Sequence, residues 1–105
     1  MTSNQRFDRD LVDLLGQAKP TLAMFGSEAD THSLEMMPVL DSLRNAVGSK
    51  ANVVSVNGPQ NEDLLQKYHI HSYPTFILFK DGQEVWRDGG RKPLSELEDM
   101  VNRFV

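Results

Sequence analysis

Asp30-Thr31-His32-Ser33 sets a carboxylate, an imidazole and two hydroxyls side by side, between an apolar run and a helical one. Ser33 as nucleophile, His32 as base and Asp30 as orienter would make a hydrolytic constellation. The spacing argues against it: neighbouring side chains on a helix diverge by about 100°, so His32 does not reach Ser33. Asp30 also suits a helix N-cap, and Ser33 a small polar place in the first turn. Two further histidines, His69 and His71, lead into His71-Ser72-Tyr73-Pro74. If the fold brings His71 to Asp30 and His32, three N/O ligands could hold Zn²⁺ or Cu²⁺. The competing reading gives each histidine a separate local role; His69 suits a helix C-terminus, where imidazole meets the helix dipole favourably.

The chain has 105 residues and no cysteine. Disulfides, thiolate metal sites, iron–sulfur clusters and thiol catalysis are therefore excluded for this chain. The formal net charge is −4 with no basic block, which argues against nucleic acid as a partner. No apolar run approaches the roughly 18 residues of a membrane span, so no membrane partner is expected. Met1-Thr-Ser-Asn-Gln-Arg-Phe-Asp8 has no apolar core of a secretory leader, and the expected location is the cytoplasm. Length and composition fit one domain over residues 1–105.

The elements that position these residues follow from periodicity. Phe7, Leu11, Leu14 and Leu15 share a face of a helix expected over residues 4–18, with Ser3 or Asn4 as cap. Thr21–Phe25 reads as a buried strand. Leu34, Met37, Leu40, Leu43 and Val47 recur at helical spacing over a helix from about Thr31 to Val47; Met36 and Met37 read as helix packing, with Met36 the nearer of the two to the exposed side. Pro38 lies inside that helix and should kink it; Gly48 stops it. Ala51–Val56 is a second strand whose valines suit a central position. Asn61 should cap a short helix with Leu64, Leu65 and Tyr68 inward. Thr75–Lys80 and Glu84–Asp88 form a hairpin around Asp81-Gly82, and Gly89-Gly90 permits a bulge or sharp exit. Trp86 reads as core. Pro93 opens a last helix, with Leu97, Met100, Val101 and Phe104 inward. A crossover-length helix between the first two strands makes them parallel.

This order, with these motifs, resembles the thioredoxin family from about Phe7 to Phe104. Pro38-Val-Leu-Asp41 looks like the kinked part of its active-site helix, Lys67-Tyr-His-Ile70 the exit of its third helix, and Ser72-Tyr-Pro-Thr75 its cis-proline loop. Phe79-Lys-Asp-Gly82 resembles its hairpin and Gly90 the glycine beyond. The resemblance implies a three-layer α/β/α fold with a mixed sheet flanked by helices. The family's usual first strand has no counterpart, which leaves four strands, or a strand taken from elsewhere. The family's Cys-x-x-Cys falls on Asp30 and Ser33, its tryptophans on Gly26 and Ala29, and its buried Asp and Lys on Met24 and Ser55. Loss of the supporting polar groups along with both cysteines suggests a site that no longer runs dithiol chemistry.

The resemblance further implies a groove for a protein or peptide between Ala29, Asp30, Thr31, His32 and Ser33, the loop His71, Ser72, Tyr73 and Pro74, and Gly89 with Gly90. Backbone groups before the proline would receive an extended chain, and Tyr73 would supply an aromatic wall. The expected function is partner binding without redox activity and without a cofactor, in a monomer or a dimer paired through a strand edge. Three readings stay beside it: a thiol–disulfide oxidoreductase whose cysteines are replaced here, a weak metal binder using Asp30, His32 and His71, and a structural domain of a larger assembly.

Overall fold

Every residue of strand β1, Thr21–Gly26, is buried, and the pleat divides its side chains. Leu22 and Met24 face one side of the sheet, and Ala23 and Phe25 the other. A strand covered on both faces belongs in the middle of a sheet. The computed structural model, which describes residue 11 and residues 14–105, places it there. Strand β2 (Asn52–Asn57) runs parallel to β1 on one side. Strand β3 (Thr75–Lys80) is antiparallel on the other and carries the antiparallel β4 (Gln83–Gly89) beyond it. The order is β2-β1-β3-β4.

Helix α1 (Thr31–Val47) and helix α3 (Leu94–Asn102) cover one face. Met36, Leu40, Leu43 and Val47 meet Leu97 and Val101 over Leu22, Met24, Phe76 and Leu78, with Trp86, Met100 and Phe104 partly buried against them. The short helix α2 (Glu62–Lys67) lies on the opposite face. There Leu64, Leu65 and Tyr68 pack with Leu11 and Leu15 over Ala23, Phe25, Ile77 and Phe79. Tyr68 stands edge-on to Phe79 with ring centroids 5.3 Å apart.

The hairpin turns on Asp81 and Gly82 with φ of 54° and 78°, the left-handed pair that a two-residue hairpin loop requires. The expected helix over residues 4–18 falls largely outside the described residues, as do Phe7 and both candidate caps. Leu11, Leu14 and Leu15 are helical, and the chain leaves the helix at Gly16.

Four expectations are corrected and one alternative is decided. Among the described residues β2 is an edge strand, not a central one. Its valines serve two faces regardless, Val53 with the α1 cluster and Val56 with the α2 cluster. The buried stripe of α1 is Ser33, Met36, Leu40, Leu43 and Val47, so Met36 packs inside, in line with its helix-packing reading, while Leu34 and Met37 are exposed. Of the two alternatives at Gly89-Gly90 the sharp exit holds, since β4 ends at Gly89 and Gly90 has φ 86°, and the bulge lies elsewhere. Leu78 opposes Trp86 and Phe79 opposes Glu84, which leaves Val85 as the extra residue. Asn61 occupies the N-cap of α2, and its backbone carbonyl accepts from the Leu64 and Leu65 N–H groups, but its side chain does not cap the helix; Nδ2 donates instead to the Asn57 carbonyl at 2.7 Å. Phe104 lies beyond the end of α3 rather than on it.

Two features fix the helices on the sheet. The Arg44 Nε donates to the Val53 carbonyl at 3.0 Å, tying the last turn of α1 to β2. His69, with φ 55°, closes α2: its N–H donates to the Gln66 carbonyl and that of Ile70 to the Leu65 carbonyl. This is the double closure of a left-handed helix end. Arg87 then holds the exit, pairing with Glu84 at 2.7 Å and donating to the His69 carbonyl at 3.3 Å.

Candidate functional site

Strand register brings the candidate residues together. Phe25 is level with Thr75, and Thr75 with Gly89. The chain leaving β1, the loop entering β3 and the chain leaving β4 therefore emerge at one end of three adjacent strands. Ala29–Ser33, His71–Pro74 and Gly89–Gly90 ride on these segments. A β-carbon on Gly89 would lie 3.7 Å from the Pro74 carbonyl oxygen and 3.9 Å from Ser72 Oγ.

The opening of α1 is a closed hydrogen-bond unit. Asp30 is the N-cap, with extended backbone. Its Oδ2 accepts from the Ser33 N–H at 2.8 Å and from Ser33 Oγ at 2.7 Å. Ser33 Oγ accepts in turn from the Ser27 N–H at 3.2 Å. Ser33 is buried, and it fits because residue 26 is glycine. A β-carbon there would stand 2.7 Å from Ser33 Oγ and 2.9 Å from its Cβ. His32 is exposed and takes no part in this unit. The Ser33 hydroxyl is thus spent on a carboxylate, as an N-cap partner and not as a nucleophile paired to a base.

The two Ser33 hydrogen bonds, side chain first and then backbone, hold the Asp30 carboxyl below its ordinary value of 3.8, with His32 adding a smaller pull. A lowered folded value makes the charged form stabilising above the unfolded pKa, and the benefit is lost as pH falls through the folded value. Asp30→Asn keeps a capping side chain but not the charge. Its stability gap from the natural protein should be constant above about pH 5 and close as pH drops below the ordinary carboxylate value. Urea unfolding at pH 7, 5, 4 and 3 measures this, and a gap that widens in acid would contradict it.

The loop before β3 is extended. The Tyr73–Pro74 peptide bond is cis, and Pro74 is buried while His71 and Ser72 are exposed. The Gly90 N–H donates to the Pro74 carbonyl at 2.9 Å, and Thr75 Oγ1 donates to the Ser72 carbonyl at 2.7 Å. The N–H groups of His71, Ser72 and Tyr73 and the carbonyls of His71 and Tyr73 have no hydrogen-bond partner among the described residues. Tyr73 does not stand free as a wall. Its ring is packed on Gly58, where a β-carbon would lie 2.6 Å from Cε1, and it joins the cluster under α2. Partial burial, then the Glu62 charge, raises the Tyr73 hydroxyl pKa.

Among the described residues no three His, Asp or Glu side chains are grouped as a metal site requires, so Asp30, His32 and His71 are not assembled into one. Sequence reasoning missed the charged frame around Gly89–Gly90. Arg91 pairs with Glu35 of α1 at 3.0 Å, and Lys92 pairs with Asp88 at 2.8 Å while donating to the Gly89 carbonyl at 3.0 Å. Asp88 and Lys92 stand four apart, a spacing that could have suggested the second pair. No local signal links Arg91 to Glu35 across 56 residues. Met24 and Ser55, where the resemblance places a buried acid and a lysine, are register neighbours on β1 and β2 beneath α1.

Comparison with known proteins agrees with this geometry. A family model described as thioredoxin matches residues 1–103. Thioredoxin C-2 of Corynebacterium nephridii is 29% identical over 104 residues, covering 99% of this chain and 94% of that protein. The thioredoxin of Bacillus subtilis (strain 168) is 35% identical over 68 residues, 65% of each chain. A mutant thioredoxin from Halobacterium salinarum NRC-1 superposes with a TM-score of 0.83 at 25% identity, covering 91% of this chain and 83% of that one. The thioredoxin of Fasciola hepatica also gives 0.83, at 24% identity over 93% and 94% of the two chains. With a match that spans almost all of its length, and with four strands and helices laid out as described, this chain belongs to the thioredoxin family as a member without cysteine.

Proposed function

We propose that this chain binds an extended segment of a protein partner and carries out no dithiol redox chemistry. The binding face is bounded by Ala29–Ser33, His71–Pro74 and Gly89–Gly90. The observation that carries this reading is the row of backbone groups at His71, Ser72 and Tyr73 that have no partner among the described residues, beside exposed side chains and at the end of three aligned strands. Such a row accepts an added strand, with main-chain hydrogen bonds for affinity and neighbouring side chains for choice. The absence of cysteine supports the redox half of the reading. Asp30 keeps its carboxylate ionised at this edge, so a lysine or arginine in the bound segment is favoured.

Selection from a displayed random-peptide library, followed by amide NMR titration of the selected peptide, tests this. Binding should shift the amides of His71, Ser72 and Tyr73. Asp30→Asn should weaken a basic peptide severalfold, and His71→Ala should weaken it with the fold intact. Shifts confined to another face, or equal affinity in both variants, would sink the assignment.

A further inference from the structure

A cavity of about 300 Å³ opens between the ends of β1 and β2 and the first turns of α1. None of His71–Pro74 or Gly89–Gly90 lines it; it adjoins the peptide face only at the buried Ser33. It exists because Gly26 presents no side chain to it and because Met24 and Ser55, paired in register, form a short floor. We propose that this cavity is a binding site for a small aromatic molecule, uncharged or cationic, that carries one hydrogen-bond donor and is no larger than a fused pair of rings.

Size comes first. The volume is at the lower end of the roughly 300–1,000 Å³ of small-molecule pockets, which suits one or two rings. The walls set the polarity. Leu34 and Met37 line it from successive turns of α1 and are 51% and 38% exposed, which makes one wall apolar. A ring seated against them would cover both, and the Met37 thioether suits contact with an aromatic ring. The polar contribution is narrow. Ser55 lines the cavity, is only half-buried, and its hydroxyl takes part in no hydrogen bond among the described residues. A hydroxyl placed there accepts from a ligand that brings a donor. Glu28 lines the mouth, no cationic side chain does, and so an anionic ligand is repelled.

Indole is the probe. Titrated into the ¹⁵N-labelled full chain, it should give saturable shifts at Gly26, Leu34, Ser55 and Asn57 with a Kd below about 1 mM. Indole-3-carboxylate should bind at least tenfold more weakly. Ser55→Leu fills the floor and should abolish the shifts. Leu34→Ala, at an exposed position that leaves the core untouched, should weaken binding several-fold and guards against a folding defect in the first variant. The proposal is overturned by non-saturable shifts, by equal affinity for the carboxylate, or by indifference to Leu34→Ala. Uptake of a tryptophan-containing peptide without uptake of indole also overturns it, and reassigns the cavity to an anchoring side chain of a partner. Failure of the peptide-face experiment leaves these outcomes unaffected, because the two sites share neither probe nor variant.

Discussion

Phe76→Ala should remove about 3–5 kcal/mol of stability, a large share of the roughly 5–15 kcal/mol that holds a domain of this kind folded. Phe76 is fully buried on β3, level with Met24 of β1 and Asp88 of β4, and sits in the cluster that α1 and α3 cover. Truncation loses the transfer free energy of the ring and leaves a hole between two helices and a sheet, which relax only in part. Phe76 also follows Thr75, the residue that sets the peptide face in register, so the variant should loosen that face before it unfolds. Equilibrium urea unfolding of the variant beside Leu34→Ala is the check. Leu34 is half exposed, and its truncation should stay within about 0.5 kcal/mol. A cost below 2 kcal/mol for Phe76→Ala would mean that the two covering helices close the hole.

The second large effect is a gain. Asp30→Cys combined with Ser33→Cys should form an intramolecular disulfide under air, because the two side chains already converge: Asp30 Oδ2 and Ser33 Oγ are 2.7 Å apart. Residues three apart at a helix start bring their β-carbons within bridging range. Returned to the dithiol by an added reductant such as dithiothreitol, the pair should still reduce substrate disulfides poorly. The floor beneath that turn is Met24 beside Ser55, a thioether and a hydroxyl, and neither can take up or hand on a proton at neutral pH. Mass spectrometry after alkylation reads the first half, as a loss of two hydrogens and no free thiol. Turnover of a model disulfide reads the second. Two free thiols after oxidation would contradict the convergence. Rapid turnover would show that Met24 and Ser55 do not limit the chemistry and would favour an oxidoreductase ancestry disabled only at its two cysteines.

The architecture was legible because its signals were local. The all-apolar Thr21–Phe25 announced a buried strand, Asp81-Gly82 its hairpin turn, and Gly48 a helix stop, and the sheet carries each of these where expected. The face of α1 was misread by one residue. Leu34 and Met37 complete an apolar pattern with Leu40 as well as Ser33 and Met36 do, and a serine carries no hydrophobic signal. What decides the register is Asp30, which pulls Ser33 inward by two hydrogen bonds, and Gly26, which makes room for it. The cavity was invisible for the same reason, since it is made of missing volume. Sheet position was also beyond local reading: a Val-rich segment packs two faces whether it has one neighbouring strand or two, so β2 looked central. Within the site, the register that unites Phe25, Thr75 and Gly89 is a property of three strands together and is written in none of them alone.

Tyr73 on Gly58 has a consequence for how this chain can vary. A β-carbon at 58 would collide with the ring at 2.6 Å, so a side chain there is acceptable only where residue 73 has become smaller or has turned away. The two positions lie in different loops and must drift as a pair, with the intermediate that changes 58 first carrying the whole steric penalty. Substitutions are thereby funnelled into one order, residue 73 before residue 58. The loop that bears Pro74 and the turn that opens α2 should therefore change together.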